Sequence, residues 1–203
     1  MSNKSELDAL NQQIAVCKKC ILHKSRVKAV PGVGPETADI MFIGEAPGFH
    51  ENQRGLPFVG AAGKFLDELL DKIGLRREDV FIANVVKCRP PGNRDPQPDE
   101  IEACRPYLDQ QIKLIQPKMI ITLGRFSMAR YFPSAKISQI HGKPRKMEGV
   151  IYYPMYHPAA ALHQPSLRRT VEEDVLRIPE LLVQIDEMTE SKRPEQAQQL
   201  SLF

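Results

Sequence analysis

Ile40-Met41-Phe42-Ile43-Gly44-Glu45-Ala46-Pro47-Gly48 is the stretch whose reading decides the fold. Four consecutive apolar residues suit a strand buried on both faces, and the two glycines and the proline that follow turn the chain tightly. Similar apolar runs occupy residues 80–86, 119–123 and 150–156, each passing into Gly, Pro or polar loop residues. Helical patterns fill the gaps. Leu66, Leu69, Leu70 and Ile73 repeat at helix spacing after Gly63, residues 101–115 do so after the acidic start Asp99-Glu100, and residues 171–185 form a last amphipathic stretch. Strands alternating with helices predict an α/β fold, a three-layer α/β/α sandwich around a central four-stranded, mainly parallel sheet. Ligands in such sheets bind beyond the carboxyl ends of the strands, so the loops after each run are where chemistry is expected.

A chain of 203 residues is expected to close one compact domain, here residues 1–188, with no need of disulfide staples. With 42% hydrophobic and 26% charged residues, wholesale disorder and coiled coil are poor readings. No apolar run approaches the roughly 18 residues of a membrane helix. The first ten residues mix Lys4, Glu6 and Asp8 and lack a hydrophobic signal core, which predicts a soluble cytoplasmic protein, and nothing in the sequence suggests more than a monomer. The net charge of +3 permits nucleic-acid binding without demanding it, so any DNA surface must come from local clustering. After about Met188 the chain turns polar and is broken by Pro194; residues 189–203 are expected to be a disordered tail.

In a reducing compartment four cysteines invite explanation. Cys17 and Cys20 form a C-x-x-C pair before the first strand, and Cys88 and Cys104 flank the loop Arg89-Pro90-Pro91-Gly92-Asn93-Arg94-Asp95-Pro96. Thiolates select zinc or iron-sulfur clusters, and spacing alone does not choose between them. A thioredoxin-like redox pair is a weaker reading, because that pair is expected to open a helix after a core strand.

The loops also resemble a base-binding pocket. Phe58 stands just before a helix in Leu56-Pro57-Phe58-Val59-Gly60, Asn84 is a polar residue inside an apolar strand, and His157 opens the last strand's exit loop, His157-Pro158-Ala159. Each alone has a bland explanation as core, satisfied strand residue or loop cap. Together an aromatic face, an amide and an imidazole are what recognition of a planar base requires.

Gly44-Glu45-Ala46-Pro47-Gly48, Asn84 ahead of Lys87-Cys88-Arg89-Pro90-Pro91-Gly92-Asn93-Arg94, His157-Pro158-Ala159 and the cysteine order together resemble the family 4 uracil-DNA glycosylases, the iron-sulfur branch of that superfamily. The resemblance spans roughly residues 7–182. It implies a structural 4Fe-4S cluster held by Cys17, Cys20, Cys88 and Cys104, and removal of uracil left by cytosine deamination. In that chemistry Phe58 stacks on the flipped base and Asn84 donates to O4 and accepts from N3–H, a pattern cytosine reverses. His157, with loop amides near Glu45 and Ala46, stabilises charge developing on O2. The better-known branch has an Asp and a Tyr where this chain has Ala46 and Gly48, so Glu45 and Glu51 are the candidates to crowd the base or orient water, Glu51 for water. A covalent-trapping relative has a Gln in the first motif and a basic loop ending in a reactive His; the Ala46 and the Gly92-Asn93-Arg94 loop found here predict turnover instead of a stable adduct.

DNA contacts are expected from Lys143, Arg145, Lys146, Arg168 and Arg169, with Leu162 as a wedge into the vacated stack and Arg89 and Arg94 linking the cluster loop to the backbone. The last five residues, Gln199-Leu200-Ser201-Leu202-Phe203, resemble the motif that docks on the bacterial replication sliding clamp, with Gln199, Leu200, Leu202 and Phe203 as anchors. That predicts a bacterial, nucleoid-associated protein. Two competing readings are a damaged-base binding module without catalysis and a zinc-stabilised nucleotide-binding protein.

Overall fold

The computed structural model describes residues 2–190, with side chains through residue 184. The chain runs α1 (Asn3–Val16), β1 (Ile40–Gly44), α2 (Phe49–Arg54), α3 (Ala61–Lys72), β2 (Phe81–Asn84), α4 (Pro98–Ile115), β3 (Met119–Leu123), α5 (Arg125–Ala129), α6 (Ile137–Ile140), β4 (Arg145–Met147), β5 (Val150–Met155), α7 (Pro158–His163), α8 (Ser166–Leu176) and α9 (Ile178–Glu190). Among these residues five strands form one sheet in the order β2-β1-β3-β5-β4. The first four are parallel, in registers such as Gly44 opposite Asn84 and Ile43 opposite Thr122, and β4 runs antiparallel to β5.

Alternation along the strands explains the three layers. Ile40 and Phe42 point to a core shared with Phe65, Leu69, Val171 and Val175 of α3 and α8, whereas Met41 and Ile43 point to a second core with Leu7, Ile14, Leu108 and Ile115 of α1 and α4. Both faces of β1 and β3 are covered, which is why these strands read as unbroken apolar runs.

The expected sandwich is present, with a fifth strand in place of four. β4 has no strand signature in the sequence, because its three residues, Arg145, Lys146 and Met147, are all exposed and form no apolar run; its pairing with β5 as a hairpin defines it. The run at residues 80–86 is strand only over Phe81–Asn84, after which the backbone bends so that Val85 and Val86 N–H bond the carbonyls of Gly44 and Glu45. The predicted helix over residues 171–185 divides into α8 and α9 at Arg177, ahead of Pro179, which is tolerated in a first helical turn. No described helix is long and apolar enough to cross a membrane. The clamp-like pentapeptide lies outside the described residues.

Candidate active site

The sheet brings the carboxyl ends of β1, β2, β3 and β5 to one edge, and a cleft of about 380 Å³ opens there. Its walls include Glu45, Glu51, Phe58, Asn84, Arg94 and His157. Ala46, Pro47 and Gly48 form the rest of the turn after β1.

Asn84 ends β2 and is 2% exposed, yet its side-chain amide makes no hydrogen bond to any described residue. The residue is held in the sheet while its amide lines the cleft with no protein partner, so it is the polar group there most open to a ligand. Gly44 lies opposite. A Cβ there would stand 2.4 Å from Asn84 Oδ1 and 2.7 Å from Phe58 Cζ, so only glycine lets the amide and the ring approach.

Phe58 is buried and holds a left-handed backbone, φ 52°. That strain is maintained by its neighbours. Arg77 donates to the carbonyls of Phe58 and, at 3.0 Å, Pro57, while its Nε donates to Asp67 at 2.6 Å. Gly63 leaves room for the Phe58 carbonyl, which a Cβ there would meet at 1.8 Å. Glu51 ties down the same loop: its Oε1 accepts from the Val59 and Gly60 amides at 2.8 and 2.9 Å, while Oε2 has no partner among the described residues. The bland role of a loop-bonding carboxylate is therefore realised by one oxygen of Glu51.

His157 caps the N-terminus of α7. Its Nδ1 accepts from the Ala159 amide at 3.1 Å, so in the neutral ring the proton resides on Nε2. Burial holds its pKa down to about 4, against a smaller opposing pull from Glu51, so the ring is neutral at pH 7. It stacks on Phe58 with centroids 5.4 Å apart and planes inclined by 23°. Glu45 is pushed up from the usual carboxylate range, by burial first and by Asp95 second, with Arg125 opposing. Asp95 and Arg125 are ion-paired.

A larger cavity of about 660 Å³ lies beside Phe58 and Val59, between Val33, Leu56 and Lys64. Arg77 lines it too, but its donors are spent on the loop, and neither Asn84 nor His157 reaches it. The groups suited to chemistry converge in the smaller cleft.

All four cysteines are free thiols lining a third, enclosed cavity in the α1/α4 layer. Three N–H groups point at their sulfurs: Lys19 N at 3.4 Å from Cys17, Lys87 N at 3.2 Å from Cys104, and Arg26 Nη1 at 3.3 Å from Cys88. Among the described residues no three His, Cys, Asp or Glu side chains are grouped as a single-ion site.

The remaining sequence candidates lie outside the cleft. Leu162 on α7 is exposed, and so is Arg145 on β4. Lys143 donates to the Gln139 carbonyl. Arg168 is held by Glu68 and Glu172 over the Phe65 ring, and Arg169 pairs with Glu173. Arg94 is gripped by the wholly buried Glu100 through two bonds of 2.9 and 2.6 Å. Arg77 and Arg26 carry no signal of their roles in the sequence, because a charge along the chain does not show the carbonyl or thiol it reaches.

A family model of the uracil DNA glycosylase superfamily matches residues 31–178. The chain belongs to that superfamily. It is 50% identical over 187 residues to the type-4 uracil-DNA glycosylase of Sulfurisphaera tokodaii, covering 87% of this chain and 85% of that one. It is 50% identical to the type-4 uracil-DNA glycosylase of Archaeoglobus fulgidus, covering 86% of this chain and 92% of the other, and 41% identical to that of Thermotoga maritima, covering 86% and 94%. The matched span contains the whole cleft, so the superfamily assignment and the strand-exit site concern the same residues.

Proposed function

We propose that this uracil-DNA glycosylase receives in its cleft a deoxyuridine flipped out of single- or double-stranded DNA and hydrolyses its N-glycosidic bond, starting base excision repair of deaminated cytosine. The observation that carries the site is the unpartnered amide of Asn84, buried beside the Phe58 and His157 rings. An amide donates to uracil O4 and accepts from N3–H; cytosine would leave both groups unpaired. Phe58 supplies an aromatic face.

In the reaction the bond between sugar C1′ and base N1 breaks and its electron pair leaves with the base, where negative charge spreads to O2. The neutral His157 donates a hydrogen bond to that oxygen from Nε2, and backbone amides of the Glu45-Ala46 turn assist. A water oxygen bonds to C1′ and its proton passes to a carboxylate. Glu51 is assigned that place through its unengaged Oε2, and Glu45, in the cleft wall directly after β1, crowds the base.

The four thiols are assigned to a 4Fe-4S cluster. The thiols share one cavity, yet among the described residues no three of them are grouped to hold a single ion, which favours a polynuclear group over zinc; N–H donors aimed at sulfur would support its thiolates. Bound there, the group would supply a structural tie between the N-terminal segment and the loop that contributes Arg94 to the cleft.

DNA grip is assigned to Lys143 and Arg145, to Arg168 and Arg169 once freed from their carboxylate partners, and to Leu162 as the wedge. The pentapeptide Gln199–Phe203 is proposed to dock on the bacterial sliding clamp; its deletion should abolish clamp binding and spare activity on a short oligonucleotide. Incubating the protein with uracil-containing oligonucleotides and then alkali tests the main reading. Alkali-dependent breaks at uracil alone support hydrolytic release, and bound but intact uracil would reduce the protein to a damage-binding module.

A further inference from the structure

Phe49 begins α2 one residue beyond Gly48 of the cleft wall and is 52% exposed, one of the largest apolar side chains left in water. The Arg89 guanidinium lies over its ring, 5.4 Å from the centroid, and the His50 ring meets it edge-on at 5.4 Å. Arg89 is in turn one residue before Pro90 of the same wall, and its Nε donates to Asn93 Oδ1 at 2.6 Å. Asn93 and Gly92 both hold left-handed backbone, φ 55° and 63°, which fixes the loop's shape, and Arg94 beyond them is anchored on Glu100. Two segments distant in sequence thus set an aromatic ring and a cation together at the lip of the cleft, outside it and facing solvent.

We propose that the Phe49–Arg89 pair is a stacking subsite for the nucleobase next to the flipped deoxyuridine in single-stranded DNA, with the Arg89 charge directed at the adjoining phosphate. Ring stacking accepts any base, because every base has a π-face, and a guanidinium extends the stack and answers the backbone charge. The fold gains nothing from exposing this ring. Its exposure separates it from Phe58, which is 5% exposed and belongs to the pocket itself. The subsite rests on the assignment of the cleft to uracil.

The test places 2-aminopurine, fluorescent when unstacked, beside uracil on the 5′ side in one oligonucleotide and on the 3′ side in another, and measures quenching and KM for the full chain. With the native protein one of the two is expected to show a protein-dependent fluorescence change that Phe49→Ala abolishes and Phe49→Tyr restores. Phe49→Ala should raise KM on single-stranded DNA about 10-fold with little change in kcat, and Arg89→Ala should also flatten the dependence of KM on salt. Identical fluorescence and KM in native and Phe49→Ala proteins, with unchanged thermal unfolding, would overturn the subsite. A parallel His157→Ala variant separates the two levels of inference: if it retains full uracil release, the cleft assignment fails, whereas if it is inactive while Phe49→Ala is silent, the subsite alone fails.

Discussion

Gly44 and Asn84 sit opposite each other across the β1–β2 pair, so close that a single methyl group on Gly44 would stand 2.4 Å from the Asn84 amide oxygen. The same methyl would meet the Phe58 ring at 2.7 Å. One missing side chain therefore sets the spacing of the two groups proposed to read and stack the base. Gly44→Ala should displace both and lower uracil release about 100-fold, in line with the cost of an ångström of misplacement at a reacting centre. Single-turnover kinetics checks this, with a melting curve to show that the fold survives.

Arg77 holds Phe58 from behind. Arg77→Ala removes a charged donor from two loop carbonyls and from Asp67, a loss of about 2 kcal/mol. Unfolding should begin roughly 4–8 °C lower in a chain of this size. Calorimetry gives the shift, and reduced intensity of base stacking in the same variant would show that the loop, not merely global stability, is affected.

His157 sets a pH dependence whose sign follows from its environment. Its folded pKa, about 4, lies below the ordinary value near 6.5, so the unfolded chain binds the proton first. The stabilisation is complete above about pH 6.5 and is lost as pH falls towards 4, amounting to on the order of 3 kcal/mol. His157→Gln should flatten the curve of melting temperature against pH across that window, and parallel curves for the two proteins would refute the neutral buried ring.

The thiol cavity yields a compositional prediction. Anaerobically purified protein should be brown and carry iron and acid-labile sulfide in equal amounts, and Cys104→Ala should lose both together with thermal stability. Zinc in a colourless protein would reassign the site.

Much of this was legible in the sequence because burial on both faces writes itself as unbroken apolar strands, and because Asn84 interrupts one of them. The sandwich, four of the strands and the elements of the cleft follow from that pattern. β4 was not legible, since Arg145, Lys146 and Met147 are exposed and only the hairpin with β5 defines them as a strand. Helix α1 leaves little trace in the sequence because its buried face is narrow, just Leu7, Leu10 and Ile14 among polar residues. Glu51 shows the limit at the site. A carboxylate near a turn reads equally as catalyst or loop anchor, and the structure shows one oxygen doing the second task while leaving the other unengaged. Arg77 and the Phe49–Arg89 stack depend on contacts between segments that spacing along the chain does not record.

The central claim is that Asn84 reads uracil in this cleft, and the most direct test is the single-turnover rate of base release from matched uracil and cytosine oligonucleotides by the native protein and by Asn84→Asp. Replacing the amide N–H₂ with a carboxylate oxygen exchanges a donor to O4 for an acceptor, so uracil release should fall at least about 100-fold while any activity on cytosine, which presents an amino donor at that position, rises relative to it. Unchanged discrimination and an unchanged rate on uracil would contradict the account.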